Sequence, residues 1–309
     1  MRLQHLHLLL TLAQTGSLRA SAEALNVTQP ALTKALKQLE EEFGTTLVLR
    51  TPKGVRLAPA GELLAARAAT VVRELERARE EVAWHTQNTQ ATVTVGVSPA
   101  AALMLAANAV ARFQARWPDV KVRLVDALYP KALQQLRSGE VDLALGPLPA
   151  SSIGHDLNVR PLIHSPTVIV ARNTHPLRAA RSLSELQSAS WLLTGPRGGP
   201  GDPTHLGFEQ RGLTPPKVTL ECESFSTLLA VLPEMDVLAV VPRRFFDSHG
   251  PRIGLAVLNI AESLPPTTIH LFTRTDAPLT LPTQRLVNDF VHEAQALQQR
   301  LPLQDRLAT

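Results

Sequence analysis

Apolar residues near the start of the chain recur at helical spacing. Leu3, Leu6, Leu10 and Ala13 mark one face of a first helix, which Gly16 ends. Ser17 is placed to cap a second helix over 18–25, with Ala20, Ala24 and Leu25 turned inward. Asn26 suits a left-handed turn, and Val27 is expected to plug the corner. Thr28 is placed to cap a third helix, with Pro30 in its first turn, where a missing amide proton costs nothing. Leu32, Leu36, Leu39 and Phe43 form its buried stripe. Its opposite face carries Gln29, Thr33 and Lys37 at four-residue steps, with Lys34 alongside.

Two short apolar runs, 47–49 and 55–57, flank a turn containing Pro52, Lys53 and Gly54, and so predict a hairpin. A long helix is expected over 59–87. Leu64, Ala68, Val71, Leu75, Ala78 and Val82 alternate spacings of four and three along it, a heptad seam that needs a partner helix. A polar hinge over 87–92 follows. Strand and helix patterns then alternate: strands over 91–97, 120–126, 141–146, 167–172, 191–193, 217–222, 237–241 and 267–274, helices over 100–116, 133–137 and 225–232, and a closing helix over 282–300. This predicts an α/β region with mostly buried strands.

Charge is concentrated at the front. Residues 1–58 hold seven Lys or Arg against four Glu, a net +3 of the chain's +4. The face of the third helix then acquires a chemistry. Gln pairs with adenine edges, Thr meets a base or a phosphate, and Lys reaches guanine or the backbone. Arg50, Lys53 and Arg56 on the hairpin suit phosphates, which position a protein without specifying sequence. The single cysteine, Cys222, excludes an internal disulfide and a four-cysteine zinc site, and reads as a small buried residue on a strand. No apolar run is long enough to span a membrane, and the chain reads as cytoplasmic. There is no P-loop, nucleophile elbow, dinucleotide fingerprint or metal-ligand cluster, so neither catalytic nor metal residues are expected and the chain does not read as an enzyme. An exported solute-binding protein would leave the first ninety residues unexplained; a nucleoid protein would bind DNA without preference.

The stretch Gly16-Ser17-Leu18-Arg19-Ala20-Ser21-Ala22-Glu23-Ala24-Leu25-Asn26-Val27-Thr28-Gln29-Pro30-Ala31-Leu32-Thr33-Lys34 resembles the LysR-type transcriptional regulators, as do Gly44 to Arg50 and the Leu57-Ala58-Pro59-Ala60-Gly61 junction. That family often has Ser where Thr28 and Thr33 stand, which keeps the hydroxyl, and Thr where Ala58 stands, which loses a helix cap. The resemblance implies a winged helix-turn-helix over 1–58, a linker and dimerisation helix over 59–90, and an effector-binding domain over 91–300, with a tail over 301–309. By the same analogy that domain has two α/β subdomains like a periplasmic binding protein, 91–162 plus 268–300 and 163–267, with chain crossings near His164 and Thr267.

The expected DNA-reading set is Ser17, Thr28, Gln29, Pro30, Thr33, Lys34, Lys37, Arg50, Lys53 and Arg56. Open α/β sheets bind ligands at the carboxyl ends of their strands. With the resemblance, this points to Ser98, Pro99 and Ala100; Gly146 and Pro147; Thr194, Gly195, Pro196 and Arg197; and Ser224 and Phe225. A small organic anion is the expected effector, and no cofactor is expected. The partners implied are double-stranded DNA with a roughly palindromic site and a second copy along the linker helix; a homotetramer follows by resemblance, and such a regulator leaves room for RNA polymerase as a further partner. The alternative is a ligand-independent DNA-binding protein whose binding domain is vestigial.

Overall fold

The computed structural model describes residues 1–52, 54–86, 91–149, 152–195, 199, 202–222 and 224–299, with backbone alone at Glu81, His85 and Phe225. The chain divides into two compact units, one built on residues 1–89 and the other on most of the remainder.

In the first unit, α1 (Leu3–Thr15) ends at Gly16, whose φ of 63° is the left-handed conformation that glycine adopts without cost. Ser17 accepts the Ala20 N–H and so starts α2 (Leu18–Ala24). Asn26 takes the left-handed turn at φ 54°. Thr28 accepts the Ala31 N–H and starts α3 (Gln29–Phe43). The core joins Leu8, Leu9 and Leu12 of α1 to Ala22, Leu32, Leu36, Leu39 and Leu47. Strands β1 (Val48–Thr51) and β2 (Gly54–Leu57) pair antiparallel as the expected hairpin. Glu40 binds the hairpin to α3, its Oε1 accepting the N–H groups of Leu47 and Val48 at 2.8 and 3.2 Å.

Several expected inward residues face out instead. Ala13 and Ala24 are exposed, and Val27 and Phe43 keep 46% and 45% of their surface. The reason is that Leu9, Leu12, Leu39 and Leu47, each at most 1% exposed, already fill the space between the helices. Helix α2 is also only seven residues long, so one short face of Ser21 and Ala22 suffices.

Helix α4 (Pro59–His85) starts without a side-chain cap at Ala58. Gly61 is required where its first turn crosses the start of the hairpin, because a Cβ there would overlap the Leu47 carbonyl. The expected seam divides in two. Ala68, with Val72, is buried against Leu6, Leu3 and Leu10 of α1, and Leu64 packs on the helix-turn-helix core. Val71, Leu75, Ala78 and Val82 face solvent. Helix α1 thus has two apolar faces, one for the three-helix core and one for α4. Residues 87–90, most of the expected hinge, lie outside the described residues.

The second unit holds two sheet systems. The first is a five-stranded sheet in the order β4-β3-β5-β12-β6. Strands β3 (Thr92–Val97), β4 (Lys121–Asp126) and β5 (Leu143–Pro147) are parallel, while β12 (Thr267–Arg274) runs antiparallel to β5 and β6 (Leu157–Ser165). A helical run follows β3: α5 (Pro99–Ala101), a π-helical turn over Ala102–Ala106 that the periodicity did not show, and α6 (Ala107–Arg116). Helix α7 (Lys131–Arg137) covers the other face. Helix α11 (Leu281–Gln299) packs beside α6, where the buried Glu293 receives Arg112 Nη2 at 3.0 Å and buried Asp289 pairs with Arg116.

The second system contains β7 (Thr167–Arg172), β8 (Trp191–Thr194), β9 (Val218–Cys222), β10 (Ala239–Pro242) and β11 (Leu255–Val257), with helices α8 (Pro203–Glu209), α9 (Phe225–Val231) and α10 (Arg243–His249). Strand β7 is flanked by β10 and β11, both antiparallel to it, and β8 pairs parallel with β9 and touches Leu238 just before β10. The chain passes between the systems around Pro166 and around Pro265, where the Thr167 hydroxyl donates to the Pro265 carbonyl at 3.0 Å. Strand β6 was not expected, because Pro161 argues against a central strand. It is an edge strand, and Pro161 falls at a bulge opposite His270. The expectation of buried strands fails for β4, which keeps exposed residues on both sides, and for β9, which keeps them on one.

Candidate nucleic-acid interface and ligand cleft

The exposed side of α3 is built by two local choices. The Thr28 cap fixes where the helix starts, and the leucine stripe fixes which side is buried. What remains is a shallow groove formed by Gln29, Pro30, Thr33, Lys34 and Lys37 at the N-terminal half of the helix. Such a helix enters a major groove with its first turns nearest the bases. The Thr33 hydroxyl donates to the Gln29 carbonyl at 2.9 Å, so it meets DNA as an acceptor or after rotating away. Lys37 lies 3.6 Å from Glu41, an exposed pair too weak to hold it from a phosphate. Ser17 caps α2 and is half-buried, which gives it a structural task besides any phosphate contact.

On the hairpin, Arg50 faces Val55 and Leu49 faces Arg56. Opposed residues share a face and successive residues alternate, so the two exposed arginines leave opposite faces of the ribbon. They cannot lie together on one phosphate. Lys53 lies outside the described residues.

In the second unit a cavity of about 90 Å³ opens at the ends of β3, β4, β5 and β8. One water needs roughly 10–15 Å³ by such a measure, so the space suits a compact organic molecule. Ser98, Pro99, Ala100, Gly146, Pro147, Thr194 and Gly195 all line it. Ser98 extends the pairing of β3 with β5 through its N–H to the Leu145 carbonyl at 2.8 Å. Its Oγ accepts the Ala101 N–H at 3.3 Å, which leaves the hydroxyl proton to donate. Gly146 faces it, and a Cβ there would stand 3.3 Å from the Ser98 Cβ. Gly195 adopts φ 90° at the end of β8.

Ser224 is not brought to the cavity. Its hydroxyl meets Ser226 at 2.7 Å and caps no helix. Pro196, Arg197 and the Phe225 side chain lie outside the described residues. Sequence reasoning missed Ala127, Leu128 and Tyr129 after β4, Ala132 and Leu133 on α7, Thr167, Val240 to Pro242, Thr267 and Phe272. The segment after β4 was accessible to the rule already applied, since it too follows a parallel strand. Among the described lining residues none is charged. Arg197, the one charged side chain expected at the anion site, lies outside the described residues.

Cys222, on β9 beside Thr194, is half-buried, and burial pushes its thiol above the ordinary value. A thiol held protonated is a poor nucleophile. His270, on β12 opposite Gly146, is held below the ordinary imidazole value by burial.

Comparison with known proteins gives two family matches. Residues 3–62 match the model described as "Bacterial regulatory helix-turn-helix protein, lysR family", and residues 86–295 match the "LysR substrate binding domain". The chain is 27% identical over 262 residues to the HTH-type transcriptional regulator TdcA of Escherichia coli (strain K12), covering 85% of this chain and 83% of that one. The fold is similar to that of CbnR, a LysR family transcriptional regulator, with a TM-score of 0.70 and 16% identity over 95% of this chain and 99% of that one. It is also similar to full-length LysG from Corynebacterium glutamicum with bound effector Arg, with a TM-score of 0.65 and 19% identity over 96% and 99% of the two chains.

Proposed function

The chain belongs to the LysR family of DNA-binding transcriptional regulators with an effector-binding domain, and from that premise we propose how its own residues divide the work. Gln29, Thr33 and Lys34 read base edges, while Thr28, Pro30, Lys37, Arg50, Lys53 and Arg56 set the helix on the backbone. The observation that carries this is the exposed groove at the capped end of α3, where four residues of DNA-contacting type, Gln29, Thr33, Lys34 and Lys37, share one face with Pro30.

Two copies join through Val71, Leu75, Ala78 and Val82, the part of the seam that α1 leaves exposed. A two-fold pair of reading helices calls for a roughly palindromic site. Two such dimers form the tetramer, which acts in the cytoplasm and meets RNA polymerase when it activates. Among the described residues no helix is long and apolar enough to cross a membrane.

Control lies in the cleft at Ser98, Gly146 and Thr194. A small molecule there shifts the regulator between states only by as much as it binds one better than the other.

Selection of bound sequences from a random DNA pool tests the reading. The intact protein is expected to enrich one palindromic family, and Thr33→Ala and Lys34→Ala to relax preference within it. Enrichment of no sequence, or unchanged preference in both variants, would overturn the base-contact assignment.

A further inference from the structure

The cavity has two kinds of lining, and their arrangement restricts what fits. One wall is the open edge of a hydrophobic core: Leu133, Ala144 and Phe272 belong to one packed cluster, with Tyr129 against it. Val240, Val241 and Pro242 supply apolar lining from the other sheet system. Among the described lining residues the side-chain hydroxyls are those of Ser98, Tyr129, Thr167, Thr194 and Thr267, of which Thr167 already donates to Pro265.

We propose that the ligand of this cleft carries an uncharged hydrocarbon group, aliphatic or aromatic, that packs on Leu133, Phe272 and Tyr129, while its polar group meets Ser98 and Thr194. This deepens the reading of the cleft as the effector site and rests on it. A second carboxylate, a phosphate or a run of hydroxyls placed against Leu133 and Phe272 would lose its water and gain no hydrogen bond from either side chain. Each methylene laid on the wall instead strengthens binding by roughly fourfold, until the cavity is full. The restriction concerns the wall alone and holds whatever the charge of the polar group.

Calorimetric titration of the full-length protein provides the test, with probes that vary only one end. Pentanoate, pentanamide and pentylamine each carry a hydrocarbon end; glutarate, glutaramide and 4-aminobutanol place a second polar group near that position. Benzoate, benzamide and benzylamine supply the aromatic versions. A hydrocarbon-ended probe is expected to bind on the order of tenfold or more tighter than its polar-ended counterpart. Ala132 lines the cavity from half-buried α7 backbone. Ala132→Leu is expected to remove that binding by filling the space, and Ala132→Val to weaken it, with circular dichroism unchanged.

Equal or tighter binding of the polar-ended probes overturns the proposal. So does wild-type affinity in both variants, or no binding of any hydrocarbon-ended probe at millimolar concentration. If the hydrocarbon probes bind selectively yet leave DNA occupancy unchanged, the ligand class stands and the cleft's regulatory role fails.

Discussion

The backbone of Gly61 lies directly against the Leu47 carbonyl oxygen, with no room for a Cβ between them. That carbonyl also accepts the Ala58 N–H at 2.8 Å, so the first turn of α4 is seated on the start of the hairpin. Gly61→Ala is expected to cost about 1–3 kcal/mol through forced displacement. Thermal unfolding and DNA affinity should both fall; an unchanged unfolding midpoint would show that the junction yields without penalty.

Glu40 serves the same junction from the other side. Its carboxylate accepts two backbone N–H groups, from Leu47 and Val48. Hydrogen bonds to a charged group contribute about 1.5–3 kcal/mol. Glu40→Ala should therefore lower stability by about 2 kcal/mol in urea unfolding, and Glu40→Gln by less, since its amide oxygen still accepts. Equal losses in the two variants would exclude this role.

How much of this was legible in advance differs by region. The first unit was readable where a helix carries its own period and its own cap, as α3 does: Thr28 and the Leu32, Leu36, Leu39 stripe needed no distant partner. What failed there was the depth of burial at stripe ends, as at Phe43, since a period shows direction and not where the core runs out. The heptad seam of α4 concealed two customers, α1 and solvent, in one pattern. In the second unit, β6 was hidden by Pro161, whose tolerance depends on a bulge and an edge position that only the assembled sheet creates. Ser98 and Thr194 followed from strand ends, but Thr167 and Thr267 did not, and the apolar wall comes from α7 and β12, which meet only after folding.

Arg56 leaves the hairpin on the face opposite Arg50 and is exposed to solvent. Arg56→Ala should weaken binding to all DNA sequences alike and reduce the slope of log affinity against log salt by about one. A change confined to the preferred site would make Arg56 a base reader instead.

Leu75 and Val82 are 38% and 65% exposed on α4. Leu75→Glu is expected to shift the protein from dimer or tetramer toward monomer in light scattering, and to reduce affinity for a palindrome far more than for a half-site. An unaltered mass would place the dimer contact elsewhere.

Burial holds His175 and His270 below the ordinary imidazole value. His175 Nδ1 also accepts the Leu177 N–H at 3.0 Å, which requires an unprotonated nitrogen. The unfolded chain takes up protons near pH 6.5, about the ordinary value, that the folded chain binds only at lower pH. Their contribution is thus present above that value and is lost as pH falls toward the depressed folded values. The unfolding midpoint should drop between about pH 7 and 5.5, and His175→Asn should flatten the drop by removing the titrating group. A slope unaffected by that change would assign the acid sensitivity to other residues.

Helix α1 packs on the three-helix core with one side and on α4 with the other. The reading head and the rod that carries it therefore cannot pivot against each other without stripping Leu6 and Leu10 of their cover. They form one stiff lever. A displacement of the first turns of α4 is therefore expected to carry the head with it rather than to bend the joint between them.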